Sequence, residues 1–264
     1  MKKLLAVAVV LGLLPWSVAQ EPAQPDVLDA RIVAAEGEVT VYPAGEASAI
    51  AAQNDMPVEP GDRIVTGPES RAEIGIDGES VIELGEKSEF TASSLERRKS
   101  SFSLSFGSLL AKIQSLIPSG GEMRIATPTA VAAVRGTEFG VEQDPDGAAH
   151  VAVFDEGQVA VAGPNGAGGE TALGPNQEVS VARGTADFRA LRPGEHRRFL
   201  ARRAFMKRVI ARRAALRRVW KNLPPDKRRQ MRRQIIERRR NLRERIKRQR
   251  QEIKRGGPKR KRER

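Results

Sequence analysis

Five pairs of basic residues recur every five positions along residues 197–218: Arg197-Arg198, Arg202-Arg203, Lys207-Arg208, Arg212-Arg213 and Arg217-Arg218. Guanidinium and ammonium groups at this density suit one kind of chemistry, charge-assisted hydrogen bonding to phosphates, sulfates and carboxylates. At about 100° per residue a helix turns each pair by about 140° from the last, so positive charge winds round the cylinder. Residues 195–264 hold 31 Lys or Arg against six acids, a net of +25, while residues 1–194 carry a net of −12. The overall charge of +13 is therefore the sum of two opposed halves. Such asymmetry marks an interaction segment for a polyanion joined to an ordinary soluble domain.

Catalytic constellations are missing. The chain has no Cys and two His, His150 and His196, neither at metal-ligand spacing from the other. No Gly-x-Ser-x-Gly elbow, phosphate loop or His-Glu-x-x-His occurs. Asp144, Asp146, Asp155 and Glu156 read as solvated loop acids, and whether any two stand at glycosidase spacing is a property of the fold. The expectation is a binding protein, not an enzyme, with no metal and no cofactor.

The chain opens on Lys2-Lys3, an apolar run from Leu4 to Leu14, and Ser17-Val18-Ala19. That is the pattern of a cleavable signal peptide, with the cut between Ala19 and Gln20. The run is too short to span a bilayer and no later segment is longer, so a periplasmic or secreted product without a transmembrane helix is expected. With no cysteine to form disulfides, a hydrophobic core must hold the fold.

From Arg31 to about Val181, short runs alternate apolar and polar residues between Gly, Pro, Asn and Asp: Val39 and Val41, Ile74 and Ile76, Ile82 and Leu84, Val151 and Val153, Val159 and Val161. These read as strands. In Phe102-Ser103-Leu104-Ser105-Phe106 the three apolar side chains are expected on one face. Leu109, Leu110, Ile113, Leu116 and Ile117 recur at helical spacing before Pro118 and could form a helix or another buried strand. A weak repeat relates Glu36-Gly37-Glu38-Val39-Thr40-Val41 to Glu156-Gly157-Gln158-Val159-Ala160-Val161, and Pro60 to Val65 to Pro175 to Ser180. The fold expected is mainly β, solenoid-like or sandwich-like, with solenoid favoured by the repeat.

The block from Ile125 to Val141, with Thr127-Pro128, small residues and then Val134-Arg135-Gly136-Thr137-Glu138-Phe139, resembles the FecR domain family. Pro60 to Thr66, the strand pair around Asp77-Gly78, and Val153 to Val159 extend the likeness from about Gly37 to Val181. The resemblance implies a β-rich, solenoid-like periplasmic module. In the family's iron-dicitrate regulators that module relays a signal from an outer-membrane transporter to a sigma factor. Those regulators begin with a cytoplasmic sigma-binding segment and a transmembrane helix, whereas a signal peptide comes first here, so direct sigma regulation is not expected. The signature residues Thr127, Pro128, Arg135, Gly136, Thr137 and Phe139 are read as structural. Gly136 suits a positive φ, Pro128 an extended entry and Phe139 the core, while Arg135 is expected to pair with a carboxylate such as Glu138.

Residues 1–19 thus divide as signal peptide, 20–30 as linker, 31–192 as the β domain and 193–264 as a basic helical tail. Leu223-Pro224-Pro225-Asp226 breaks the tail into two helices of about 28 and 30 residues at most. Phe205, Val209, Leu216 and Trp220 form an apolar stripe on the first, and Met231, Ile235, Leu242 and Ile246 on the second. The stripes are expected to zip together, pack on the β domain or meet a second chain, in preference to entering a membrane. Anion binding is assigned to the ten paired bases from Arg197 to Arg218. The partner expected is an anionic envelope surface (phospholipid, lipopolysaccharide or cell wall). An acidic protein, including the chain's own acidic half, and a sensory or scaffold role are the alternatives. Export and the scarcity of stacking aromatics weigh against nucleic acid.

Overall fold

The computed structural model describes residues 27–114, 121–164, 169–182, 189–191 and 197–255. The signal peptide and its cleavage site at Ala19 and Gln20 lie outside them, as does His196.

Seventeen strands form two stacked layers that share one strand. The front layer runs β4 (Met56–Val58), β1 (Ala30–Glu36), β6 (Arg71–Ile76), β7 (Ser80–Leu84), β9 (Lys99–Ile113), β12 (Thr137–Gln143), β13 (Ala149–Val153), β16 (Gln177–Val181) and β17 (Arg189–Leu191). The back layer runs β3 (Ile50–Ala51), β2 (Val39–Tyr42), β5 (Arg63–Thr66), β8 (Glu89–Ser94), β9 again, β10 (Glu122–Ala126), β11 (Val131–Val134), β14 (Val159–Ala162) and β15 (Glu170–Leu173). Among the described residues all pairings are antiparallel except β9 with β10. The chain mostly lays down two strands in one layer before crossing to the other, which joins the expected solenoid winding to a sandwich-like section. The sheet is not closed.

Crossing points carry the glycines. β9 pairs in the back layer up to Phe106 and in the front layer from Gly107. Gly107 has φ 90°, and a Cβ there would lie 2.5 Å from the Cα of Ser88, so only glycine lets the two backbones pass. The first half of the repeat marks equivalent crossings: Gly37 leads from β1 to β2 and Gly157 from β13 to β14, both front to back and both at positive φ. The second half is not equivalent, since β5 lies in the back layer and β16 in the front.

Inward-facing residues of both layers meet in one core that includes Ile32, Ile74, Ile82 and Phe139 from the front and Val41, Ile64, Phe90 and Phe102 from the back. Phe90 stacks on Phe102 with centroids 5.3 Å apart. Leu28 is fully buried in this core and Val27 bridges Glu96, so the fold takes in the last residues of the segment read as linker.

One open reading is decided and one changes. Leu109, Leu110 and Ile113 belong to β9, the buried-strand alternative, not to a helix. Here β9 runs mid-layer with both faces covered, so it is apolar at successive positions and loses its period of two. Leu116 and Ile117 lie outside the described residues. Phe106 does not share the face of Phe102 and Leu104: the β8–β9 register slips between Glu89 and Phe90, and the ring turns outward, 41 % exposed.

Two helices follow, α1 (Arg197–Val219) and α2 (Pro225–Arg255). Pro225 starts α2, where its missing N–H costs nothing, and Asp226 sits in the positive first turn. The helices dock on the β domain, α1 over β7 and β9 and α2 beside β4.

Candidate functional site

The outer face of the front layer is acidic where α1 crosses it. Glu73 on β6 and Glu83 on β7 stand directly opposite in the ladder, and both are buried. Two facing carboxylates repel, and burial makes that repulsion worse. Arg208 and Arg212, one turn apart on α1, resolve it: Arg208 donates to both oxygens of Glu83 at 3.1 and 2.6 Å, and Arg212 pairs with Glu73. Arg213 donates to the carbonyl of Glu79 at 2.7 Å and Arg217 to its carboxylate at 3.1 Å. Between these polar contacts Met206 and Val209 bury against Val81, Leu110, Ala152 and Phe154. Val209, Leu216 and Trp220 of the stripe read in sequence pack on the domain, with Met206 in place of Phe205, which stays exposed beside Arg208, whose guanidinium lies 4.9 Å from its ring.

The helix junction is pinned by a second group. Trp220 lies over Gly75 and Gly78, where a Cβ would come within 2.9 and 2.5 Å of it, and Arg31 sits 4.3 Å from its ring. Arg31 donates to the carbonyl of Lys221 at 2.6 Å, while Asp29 accepts from Arg31 and from the Leu223 amide at 2.8 Å. On α2, buried Arg228 donates to the Leu28 carbonyl at 2.7 Å, and buried Arg232 makes a two-pronged pair with Asp62. Burial pushes the Glu59 carboxyl above its usual range, although Arg228 and Arg232 beside it pull it down. Hydrogen bonding to Glu83 raises the Arg208 pKa, and burial lowers that of Arg213.

Of the ten bases assigned to anion binding, Arg208, Arg212, Arg213 and Arg217 are thus engaged with the chain's own acids and carbonyls. Lys207 and Arg218 are exposed. The side chains of Arg197, Arg198, Arg202 and Arg203 lie outside the described residues. Sequence reading missed Asp29, Asp62, Glu73 and Glu83. A signal for one pair existed, because the Asp77-Gly78 hairpin turn sets Glu73 opposite Glu83 by counting.

The signature block forms a corner between layers. Gly136 has φ 132° between β11 and β12, and its carbonyl abuts Gly157 at the neighbouring crossing. The Thr137 hydroxyl donates to the Glu156 carbonyl at 2.7 Å, and Phe139 is fully buried. Thr127 closes the turn around Pro128, its Oγ1 accepting from the Ala130 amide at 3.0 Å. Arg135 does not pair with Glu138. It is 77 % exposed and 3.7 Å from Glu122, while Glu138 takes buried Lys112 at 2.9 Å. β11 places Arg135 at the outward end of the corner, and Lys112 on the adjacent β9 reaches Glu138 first.

The FecR protein family matches residues 62–160, which span both halves of this corner. The chain carries a FecR domain. Two crystal structures described as "a putative anti-sigma factor from Parabacteroides distasonis ATCC 8503" align with it, one at 15 % identity over 52 % of this chain and 63 % of that one, TM-score 0.44. The other aligns at 16 % over 49 % and 58 %, TM-score 0.42. The chain spans less than two-thirds of the length of each. No curated protein matches it. Among the described residues no cluster of His, Asp and Glu could hold a metal, and no helix is long and apolar enough to cross a membrane.

Within the FecR domain, Gly136→Val is expected to lower stability by about 1–3 kcal/mol, because a β-branched residue resists its φ. Arg135→Ala should change stability by less than about 0.5 kcal/mol, as exposed pairs contribute little. Urea denaturation of both variants checks the pair, and the reverse order would overturn the structural reading of the corner.

Proposed function

We propose that the protein is a non-enzymatic interaction module of the cell envelope in which a FecR domain presents a basic helix to anionic partners. The FecR domain supports a sensory or signalling setting, and the signal-peptide pattern supports export. One observation carries the anionic reading. Between Arg238 and Arg250, α2 has eight Lys or Arg against a single acid, Glu244. All are exposed except partly covered Arg239, and they lie beyond the acids that neutralise α1. Charge that the domain does not consume is left for a partner.

The proposed binding surface therefore moves from the pairs of α1, four of whose ten bases meet the domain's own acids and carbonyls, to the exposed bases of α2, together with exposed Lys207 and Arg218 on α1. Phospholipid head groups, lipopolysaccharide, anionic cell wall and acidic proteins are the candidate partners.

Heparin serves as the test polyanion. With about six contacts, affinity should fall about 10³-fold between 50 and 200 mM salt. Changing Arg238, Arg240, Arg245, Lys247, Arg248 and Arg250 together to Gln should nearly abolish binding and flatten the salt dependence. Changing Lys207 and Arg218 should weaken it only modestly. Salt-insensitive binding by the unchanged protein, or full binding by the sixfold variant, would overturn the proposal.

A further inference from the structure

α2 outruns the domain that supports it. Ile235 and Ile236 pack against the core, and Arg243 still reaches the Ala49 carbonyl at 2.6 Å. Beyond that, residues 244–253 are exposed throughout. Leu242, Ile246 and Ile253 remain open at 49, 42 and 73 %. Spacings of seven, four and seven from Ile235 place these residues in a heptad frame, with Arg239, Ile246 and Ile253 at a and Ile235, Leu242 and Gln249 at d. The seam that docks the helix on its own domain continues past the edge, where no described residue covers it. About ten residues of helix beyond their last support, with four bases against two acids, are marginal in water alone.

Resting on the reading that α2 takes an anionic partner, we infer that this overhang is one strand of a heterotypic two-stranded coiled coil whose other strand is an acidic amphipathic helix. β-branched Ile at a with Leu at d favours two parallel strands. The flanks decide which second strand. Positions e and g hold Arg243, Arg245, Arg250 and Glu252. In a parallel pair each g faces the e five residues on, so a second copy of this chain would set Arg245 against Arg250 on both sides. Repulsion at the flanks rejects self-pairing, and Glu at the partner's e and g positions converts the same contacts to attraction. A lipid surface fits less well, because lying in a bilayer interface calls for a broad apolar face. Here three aliphatics form a narrow seam with bases on both sides.

The test uses the whole protein and a labelled three-heptad peptide with Ile at a, Leu at d and Glu at e and g, read by fluorescence anisotropy. A scrambled peptide of the same composition, phosphatidylglycerol vesicles and heparin are the comparison ligands. The seam peptide should bind at least about tenfold tighter than the scramble, a difference of about 1.4 kcal/mol, because the scramble lacks the apolar a and d residues that fill the seam. Leu242→Asn with Ile246→Asn should remove that advantage and leave heparin binding unchanged. Both residues lie outside the core, so the domain stays folded and circular dichroism checks it. Equal binding of the two peptides, or Asn variants that bind the seam peptide normally, overturns the coiled coil and leaves the anionic reading standing. Tighter binding to vesicles than to the seam peptide, lost in the Asn variants, assigns the stripe to lipid and overturns the coiled coil too. If neither heparin nor any other ligand binds, the anionic reading fails with it.

Discussion

Asp62→Ala is expected to cost about 3–5 kcal/mol, the range seen when one member of a buried ion pair is removed. The Asp62 side chain is fully buried. It accepts the backbone amides of Ala44 and Glu59, each at 2.9 Å, and both terminal nitrogens of Arg232. Removing it leaves a guanidinium without its counter-charge and two amides without an acceptor. Arg232 would have to leave its site, and the first part of α2 would go with it. Guanidinium denaturation should show the loss, and the double variant Asp62→Ala with Arg232→Met should recover part of it, because no buried charge is then stranded. A single-variant loss under about 1 kcal/mol would mean that Arg232 is solvated in solution and that α2 is not docked.

Gly157→Ala is the second large expected effect, about 4 kcal/mol. Its backbone sits at φ 96°, and a Cβ would fall 1.7 Å from Oγ1 of Thr137 and 2.6 Å from the carbonyl oxygen of Gly136. Positive φ alone accounts for about 1–3 kcal/mol, and forcing an atom into a packed corner adds a comparable amount. The Thr137 hydroxyl cannot swing away freely, since it donates to the Glu156 carbonyl. Gly169→Ala supplies the control: φ is 80°, yet no described residue lies within 4 Å of an added Cβ, so only the backbone term of about 1 kcal/mol applies. Similar melting points for the two variants would show that the corner is looser than described.

The strands were legible where one face is buried and the other wet, as at Val39 and Val41 or Val159 and Val161, because the pleat writes burial into alternate residues. They were illegible at Leu109 to Ile113, where α1 covers the outer face of β9 and removes the polar half of the pattern. The signature corner was readable because Gly136 and Phe139 obey local rules of φ and volume. Arg135 was misassigned because its partner depends on which strand lies alongside, and Lys112 on β9 is 26 residues from Glu138. The charge of the tail was plain, but its disposition was not. Which guanidinium meets which carboxylate depends on contacts such as Arg208 to Glu83, 125 residues apart. Only the helix's seating on the layer sets that.

Every strand pairing in both layers runs within β1–β8, within β10–β17, or through β9. Among the described residues no ladder joins the two groups directly. Each group can therefore form mostly from contacts near in sequence, which keeps loop-closure entropy small and favours rapid assembly. The slow event is then the one that requires both groups at once, the seating of β9 along its whole length. Ladder continuity between the two groups rests on that single strand, while α1, packed on Val81 of one group and on Ala152 and Phe154 of the other, ties them from outside.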